Sequence, residues 1–190
     1  MKALVVGLGS IARRHIRNLA AIDAEIEIAV WRQHSRSADL QDLAPMISQV
    51  VFSAEEALVW RPDIALLTNP ASLHVETGLT LAREGVHLFV EKPLSNTLKN
   101  IDLLLEVCRE RSLTLMVGYH LRFYTPLSIM HQALAKGHIG RPMFLRAEVG
   151  QFLPDWRPDI DYRQAVSARK ELGGGVVMEL SHELDYARWL

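Results

Sequence analysis

The stretch that decides the fold lies at the start of the chain and reads Lys2-Ala-Leu-Val-Val-Gly7-Leu-Gly9-Ser-Ile-Ala12. Its apolar run shows no alternation, which is the pattern of a strand buried on both faces. The glycines and the alanine then form a G-x-G-x-x-G/A turn, and a helical stretch over 11–21 follows directly. This order of strand, turn and helix predicts the opening of a doubly wound α/β domain.

The chemistry of such a turn explains its spacing. Gly7 permits the tight turn, Gly9 lets backbone N–H groups approach a pyrophosphate, and the small Ala12 lets the helix pack against the strand. The helix N-terminus adds a partial positive charge for the anion. We expect a dinucleotide here; the alternatives are an ordinary strand–helix turn or the turn of a methyl-donor-binding fold. The candidate cofactor-binding residues of the turn are Gly7, Leu8, Gly9, Ser10 and Ile11.

The end of the second predicted strand, 25–31, indicates which dinucleotide to expect. An NAD site usually offers Asp or Glu there to bind the ribose 2′-hydroxyl. This chain instead continues Trp31-Arg32-Gln-His-Ser-Arg36. Because guanidinium groups bind phosphate oxygens in bidentate geometry, Arg32 and Arg36 favour the 2′-phosphate of NADP over NAD. A solvated basic loop is the alternative.

Composition and charge narrow the class of protein. Hydrophobic residues make up 49% of the chain and charged residues 23%, as in globular domains. A net charge of −1 argues against a nucleic acid or a membrane surface bound through bulk charge. No apolar run reaches transmembrane length, and the single cysteine, Cys108, is consistent with a reducing compartment. We therefore expect a cytoplasmic protein without nucleic-acid or membrane partners, with Cys108 buried in a helix.

Six strand-like runs alternate with helical segments in the first part of the chain. They lie at 4–6, 25–31, 49–52, 63–68, 86–90 and 113–118. Such alternation predicts a parallel sheet with right-handed crossovers. Ser53 and Glu56 form a capping-box pattern at the start of one of the helices. We predict a dinucleotide-binding Rossmann domain over 1–121.

The remaining residues, 122–190, predict an incomplete substrate domain. A threonine followed by a proline predicts the cap and first position of a helix over 125–136. Alternation over 143–149 predicts an antiparallel strand, and three glycines open a last helix over 173–190. A lone strand leaves both edges unpaired, so these elements cannot build a core of their own. We expect an exposed, half-built α+β domain that self-associates into a homo-oligomer.

Polar residues follow two of the predicted parallel strands where ligands bind in doubly wound sheets. Thr68-Asn69-Pro70 ends the fourth strand, and His74 follows on the next helix. Glu91-Lys92-Pro93 ends the fifth strand, and Pro93 stops the strand there. The amine of Lys92 can donate to a substrate hydroxyl or carbonyl oxygen, which lowers the barrier to hydride transfer. A surface lysine is the alternative.

The predicted closing helix carries a second group of polar residues. Glu179, His182, Asp185 and Trp189 recur at i, i+3, i+6 and i+10, so one helix would present them on one face. A histidine between two carboxylates is suited to pass a proton near neutral pH, and a helix whose acidic face is merely solvated is the alternative. The zinc-protease motif H-E-x-x-H fails because Tyr186 stands at its second histidine, and we expect no metal site.

Taken in order, these motifs resemble those of the Gfo/Idh/MocA oxidoreductases, and the resemblance covers nearly the whole chain. It rests on the Gly7 turn, on Thr68-Asn-Pro70 with His74, on Glu91-Lys-Pro93, on Gly118-Tyr119 with Arg122, and on Gly173-Gly-Gly followed by His182 and Asp185.

The resemblance implies a Rossmann domain followed by an open antiparallel sheet domain, with sugar-like or cyclitol substrates oxidised or reduced through NAD(P). Lys92 would be the catalytic lysine and His182 the acid–base residue. Glu91, His74 and Arg122 would lie at the cofactor, and the loop of Trp156 and Arg157 would lie near the nicotinamide.

The chain departs from the family pattern in two ways. Many members carry an aspartate four residues before the histidine, where this chain has Met178; Glu179 is the candidate substitute, in a form that resembles a branch linked to surface-sugar biosynthesis. Members are also usually much longer. The alternatives are therefore a non-catalytic dinucleotide-binding or regulatory protein, or a hydrolase of glycosidase type that uses tightly held NAD.

Overall fold

The computed structural model describes residues 1–32, 40, 42–156 and 161–190, with only the backbone of Trp156. Contacts within the chain divide it into two units, Met1–Val117 and Gly118–Leu190, a few residues before the boundary that the sequence predicts at 121. None of the helices in the described ranges has the length and apolarity that a membrane span requires.

The first unit is built on a six-stranded parallel sheet. Its strands are β1 (Lys2–Val6), β2 (Glu27–Trp31), β3 (Gln49–Val51), β4 (Ile64–Leu67), β5 (His87–Val90) and β6 (Leu115–Val117). They lie in the order β3-β2-β1-β4-β5-β6, and every pair is parallel. The order reverses between β1 and β4, which is the switch point of a doubly wound sheet. The prediction of a Rossmann-type α/β fold is confirmed.

Helices cover both faces of this sheet. They are α1 (Ser10–Ile22), α2 (Ala54–Val59), α3 (His74–Ala82) and α4 (Ile101–Glu110). Alternate residues of β1 point to opposite faces, so Ala3 and Val5 pack with Ile16 of α1, while Leu4 and Val6 pack with the apolar sides of α2, α3 and α4. Burial on both faces explains why the strand sequences do not alternate. Cys108 lies buried in α4, as predicted.

The predicted capping box forms, except that the Glu56 side chain bonds to the residue before the cap and not to the cap itself. The Ser53 hydroxyl accepts the N–H of Glu56 at 3.2 Å at the start of α2. The Glu56 carboxylate reaches back to the N–H of Phe52 at 2.8 Å, one residue before the cap. The Ser53 hydroxyl therefore satisfies a backbone donor of the first helical turn, and the Glu56 carboxylate satisfies one that lies just ahead of the helix.

The second unit contains four α-helices in its described part. They are α5 (Thr125–Ala135), α6 (Leu153–Trp156), α7 (Val176–Glu179) and α8 (His182–Trp189). The prediction that Thr125 caps α5 is wrong, because Tyr124 occupies the cap position and makes no side-chain capping bond. Thr125 is instead the first helical residue, ahead of the proline that the sequence analysis assigned to that position.

The strand predicted over 143–149 does not form. Residues 142–150 have no regular secondary structure and are exposed. A strand is stable only when a neighbour takes up its backbone hydrogen bonds, and the described residues of this unit contain no second strand to pair with it. The alternating sequence of residues 143–149 is therefore not sufficient by itself to form a strand.

The single closing helix predicted over 173–190 is also wrong. Gly173, Gly174 and Gly175 lie outside any helix, and α7 ends at Glu179 before α8 begins at His182. A Cβ on Gly174 would clash with the carbonyl oxygen of Val166, so this glycine allows the chain to approach its own backbone closely. The break places Glu179 and His182 on different helices.

Candidate functional site

The opening turn leads from β1 into α1. Gly7 has a φ of +93°, and its N–H donates to the carbonyl oxygen of Trp31 at 2.9 Å. A Cβ at Gly7 would come within 3.3 Å of the backbone nitrogen of Asn69. Gly7 therefore permits two things at once: a left-handed backbone and the close approach of the segment that follows β4.

Gly9 has a different environment. Its φ of −73° is accessible to any residue, and a Cβ there would meet no atom within 4 Å. It is the N-cap of α1, makes no side-chain capping bond and is followed by Ser10 and Ile11, with no acidic residue in the first turn. An uncapped helix N-terminus beside open space fits the phosphate group of a dinucleotide.

The segment after β4 lies against this turn. Thr68 donates through its hydroxyl and its N–H to the carbonyl oxygen of Val6, at 2.7 and 3.1 Å. The side-chain amide of Asn69 donates to the Thr77 hydroxyl at 3.1 Å. These bonds hold the Thr68-Asn69-Pro70 segment, which the sequence predicts to bind a ligand, beside the end of β1.

His74, the first residue of α3, is buried, with only 2% of its surface exposed. Its Nε2 lies 2.8 Å from the carbonyl oxygen of Asn69, and its Nδ1 lies 3.0 Å from that of Pro93. Burial lowers the pKa of His74 below its ordinary value, against the opposing effects of these carbonyl groups and of Glu91. The ring thus joins the segments that follow β4 and β5.

Glu91-Lys92-Pro93 directly follows β5, as the sequence predicts, and the Lys92–Pro93 peptide bond is cis. The Glu91 N–H donates to the carbonyl oxygen of Leu67 at 2.9 Å, and its carboxylate accepts the N–H of Lys92 at 3.2 Å. Burial would raise the pKa of Glu91, but the hydrogen bond and charge of His15, together with Lys92, hold this pKa below its ordinary value.

The proposed 2′-phosphate contacts are only partly within the described residues. Arg32 follows β2, and its backbone N–H donates to the carbonyl oxygen of Val51 at 2.9 Å. No acidic side chain stands at the end of β2, since Trp31 is its last residue. Arg36 and Arg157 lie outside the described residues, as does the side chain of Trp156.

In the second unit, two aromatic rings lie against His182. The ring of His120 meets it edge to face at 4.5 Å between centroids, and that of Tyr119 does so at 5.6 Å. The Tyr119 hydroxyl also donates to the buried Ser181 hydroxyl at 3.4 Å. His182 therefore begins α8 packed against the rings of Tyr119 and His120.

Arg122 and Asp185 pair with each other in this unit. The Arg122 Nε lies 2.8 Å from one carboxylate oxygen of Asp185, and a terminal nitrogen of Arg122 lies 2.6 Å from the other. The pKa of Arg122 is raised by this hydrogen bond. From the sequence, Arg122 is expected at the cofactor and Asp185 beside His182, and their pairing with each other is not predicted. Glu179 ends α7, so the common helical face predicted for Glu179 and His182 is wrong.

Sequence reasoning overlooked His15, His120 and Asp42 as partners. In the structure Arg13 and Arg17 both pair with Asp42, and His15 pairs with Glu91. His120 could have been noticed as the neighbour of Tyr119. The described residues contain no group of three or more side chains suited to hold a metal ion.

Two family models match the chain. The model of an oxidoreductase family with an NAD-binding Rossmann fold matches residues 1–119. The model of the GFO/IDH/MocA C-terminal domain matches residues 128–190.

Individual relatives are similar over much of this chain. The myo-inositol 2-dehydrogenase of Thermotoga maritima is 27% identical over 100% of this chain and 54% of its own length. The 1,5-anhydro-D-fructose reductase of Ensifer adhaerens is 33% identical over 76% of this chain and 42% of its own length. The chain thus spans about half the length of these curated relatives.

A solved structure shares the fold. The scyllo-inositol dehydrogenase of Lactobacillus casei, solved with NAD(H) and scyllo-inositol, matches with a TM-score of 0.66 at 21% identity, over 74% of this chain and 42% of that one. The two family models, which together cover most of the sequence, show that the chain belongs to the GFO/IDH/MocA family of oxidoreductases.

Proposed function

We propose that the protein is an NAD(P)-dependent oxidoreductase that transfers hydride between the cofactor and a carbon of a sugar-like or cyclitol substrate. The relatives named for inositol and anhydrofructose support this substrate class. The observation that carries the proposal is the placement of Lys92. It follows β5, whose neighbour β4 ends in the Thr68-Asn69 segment that lies against the Gly7 turn.

The residues at this edge of the sheet fit a dinucleotide. The uncapped N-terminus of α1 supplies backbone N–H groups for the pyrophosphate, and the space over Gly9 admits the ligand. Bound nicotinamide would supply a carbon that accepts or releases hydride. Arg32 after β2, and Arg36 in the sequence beyond it, favour NADP over NAD, since guanidinium groups suit a 2′-phosphate and, among the described residues, β2 ends in Trp31 followed by Arg32 and not in an acidic residue.

Each candidate residue has a role in this proposal. Lys92 donates a hydrogen bond to the substrate oxygen, which stabilises the charge that develops there as hydride moves. His182 moves the proton of that oxygen, a contribution on the order of 10²–10⁴ in rate for a typical general acid–base group. Glu179 is the candidate second carboxylate, and Trp156 and Arg157 are proposed to lie near the nicotinamide.

Asp185 and Arg122 are proposed to have supporting roles. Asp185 positions Arg122 through the bidentate pair, and Arg122 keeps part of its guanidinium exposed toward solvent, with 44% of the side chain accessible.

We also propose that the protein is a homo-oligomer, because the second unit exposes large apolar side chains such as Phe123, Met143 and Phe144.

The first test is a thermal melt of the protein without ligand, with NADP and with NAD. A dinucleotide at 100-fold over its Kd adds roughly 2.7 kcal/mol of stability. A larger shift with NADP supports the cofactor assignment, and no shift with either dinucleotide contradicts the proposal.

A second test measures turnover on a panel of cyclitols and sugars by nicotinamide absorbance. Lys92→Met should lower kcat by about 10²–10⁴ and leave the Kd of the cofactor nearly unchanged. Lys99→Met is the matched control, because Lys99 is an exposed lysine of the same loop. Cofactor binding without turnover on any substrate would favour a non-catalytic dinucleotide-binding protein.

A further inference from the structure

A histidine of α1 contacts the glutamate that precedes the candidate catalytic lysine. The Nε2 of His15 lies 2.7 Å from one carboxylate oxygen of Glu91, although the two residues are 76 positions apart. Both side chains are largely buried, with 17% and 14% of their surfaces exposed. The contact therefore joins the helix that begins at the dinucleotide turn to the end of β5.

The second oxygen of the same carboxylate completes the connection. It accepts the backbone N–H of Lys92 at 3.2 Å. One carboxylate thus bridges an imidazole on α1 and the main chain of the lysine. Since the Glu91 N–H is itself bonded to the carbonyl oxygen of Leu67, the Glu91 backbone is held to β4 while its side chain is held to α1.

The packing of α1 explains why His15 reaches this site. Its neighbour Ile16 is fully buried in the core that α1 forms with one face of the sheet. The His15 ring meets Phe89 edge to face, with 5.2 Å between centroids. Phe89 and Glu91 are two residues apart along an extended chain, so their side chains point to the same face. Phe89 therefore guides the ring of His15 toward the carboxylate.

We propose that His15 is a positioning residue that, through Glu91, sets the place of Lys92 relative to the cofactor-binding helix. The effect of His15 on catalysis rests on the proposed function of Lys92. Without His15, a largely buried carboxylate loses a hydrogen-bond partner and must turn toward water or toward Lys92. Either movement displaces the lysine amine from the substrate oxygen, and displacements of about 1 Å can cost on the order of 10²-fold in rate.

The test compares His15→Ala, His15→Gln and the control Asn18→Ala, an exposed residue of the same helix. The rate at which acetic anhydride modifies the Lys92 amine is followed by mass spectrometry of its peptide and needs no turnover. We expect His15→Ala to change this rate several-fold and to lower kcat by about ten-fold or more with little change in KM. His15→Gln should restore both, because its amide nitrogen can replace Nε2, and Asn18→Ala should match the unaltered protein.

Several outcomes would overturn the proposal. One is a His15→Ala protein that melts at a lower temperature yet shows the original Lys92 labelling and kcat, which would make His15 structural only. Another is a His15→Gln protein that folds but does not recover toward the original values. If His15→Ala does not fold, the cycle of His15→Leu, which fills the space but cannot donate a hydrogen bond, Glu91→Gln and the double variant decides: additive changes in Lys92 labelling overturn the proposal, and coupled ones support it.

Failure of the proposed function would look different. The unaltered protein would then neither bind a dinucleotide nor turn over any substrate, while Lys92 labelling would still respond to His15→Ala and recover in His15→Gln. That result would keep His15 as the residue that positions Lys92 and would remove only the reaction assigned to the lysine.

Discussion

His74 contacts the carbonyl oxygen of Pro93 through Nδ1 at 3.0 Å, and this contact ties the start of α3 to the loop that carries Lys92. The opposite ring nitrogen faces the carbonyl oxygen of Asn69 at 2.8 Å. A neutral imidazole has one N–H, so it donates to only one of these two acceptors at a time. His74 therefore connects the two segments proposed to contact cofactor and substrate, while its own ring is buried.

The first prediction concerns the stability that His74 provides. His74→Ala should lower the free energy of unfolding by about 1–3 kcal/mol, because it removes a buried ring and leaves two carbonyl groups without their partner. His74→Gln should lose less, since its amide keeps a donor. Urea unfolding checks this, with His138→Ala as the exposed-histidine control. Equal stability of His74→Ala and the unaltered protein would contradict it.

The second prediction concerns pH. The pKa of His74 is lowered by burial from an unfolded value of 6.5, so the folded ring stays neutral where the unfolded ring gains a proton. The free energy of unfolding should therefore be largest above about pH 6.5 and decrease as the pH falls toward the folded pKa, by up to about 1.4 kcal/mol per pH unit.

His74→Gln isolates this effect, because Glu91 and the other carboxylates also titrate at lower pH. Urea midpoints measured between about pH 7.5 and pH 5 should change less steeply in His74→Gln than in the unaltered protein. If the urea midpoints of the two proteins change equally with pH, His74 is not the source of the pH dependence of stability.

The third prediction separates the two glycines of the opening turn. Gly7→Ala should destabilise the protein by about 1–3 kcal/mol, because it forces a Cβ into a backbone at positive φ and against Asn69. Gly9→Ser should leave stability unchanged or slightly higher, since serine is a favourable N-cap, but it should weaken dinucleotide binding by filling the open space. Melting curves with and without NADP measure both effects. Loss of stability in Gly9→Ser would contradict the assignment.

The fourth prediction tests the pair of Arg122 and Asp185. Arg122→Lys keeps the charge but loses the bidentate geometry, so we expect it to destabilise the protein by about 0.5–1 kcal/mol, and Arg122→Ala by about 1–2 kcal/mol. The arginine is partly exposed, which limits both values. Unfolding of Asp185→Asn and of the double variant completes the cycle; additivity would show that the pair does not contribute.

The fifth prediction tests the choice of dinucleotide. Arg32→Glu should weaken NADP binding by roughly ten- to hundred-fold, because a charge-assisted hydrogen bond to the 2′-phosphate is lost and a repulsive charge replaces it. NAD binding should be retained or improved, since a carboxylate at this position can bind the ribose 2′-hydroxyl. Titration of both dinucleotides checks this. An equal loss for both would indicate that Arg32 supports the loop and does not select the cofactor.

The predictions from sequence that the structure confirms rest on patterns of neighbouring residues or on patterns that recur along the chain. Consecutive apolar residues in β1 and β4 predict strands buried on both faces, and glycine and proline mark the turns that end them. Where prediction from sequence failed, the outcome depended on a partner. Residues 143–149 alternate like a strand, yet no described strand lies beside them, and the last helix breaks between Glu179 and His182 although its sequence permits one continuous helix.

The sequence by itself determined the order of strands and helices in the first unit, the glycine turn and the position of Lys92 just after β5, because these depend on residues close together in the chain. Only the tertiary structure decided which side chains bind each other. His15 reaches Glu91 across 76 positions, and Arg122 reaches Asp185 across 63. Such pairs depend on which elements pack as neighbours and which faces they present to each other. The residues next to either partner in the chain do not indicate which residue it will bind.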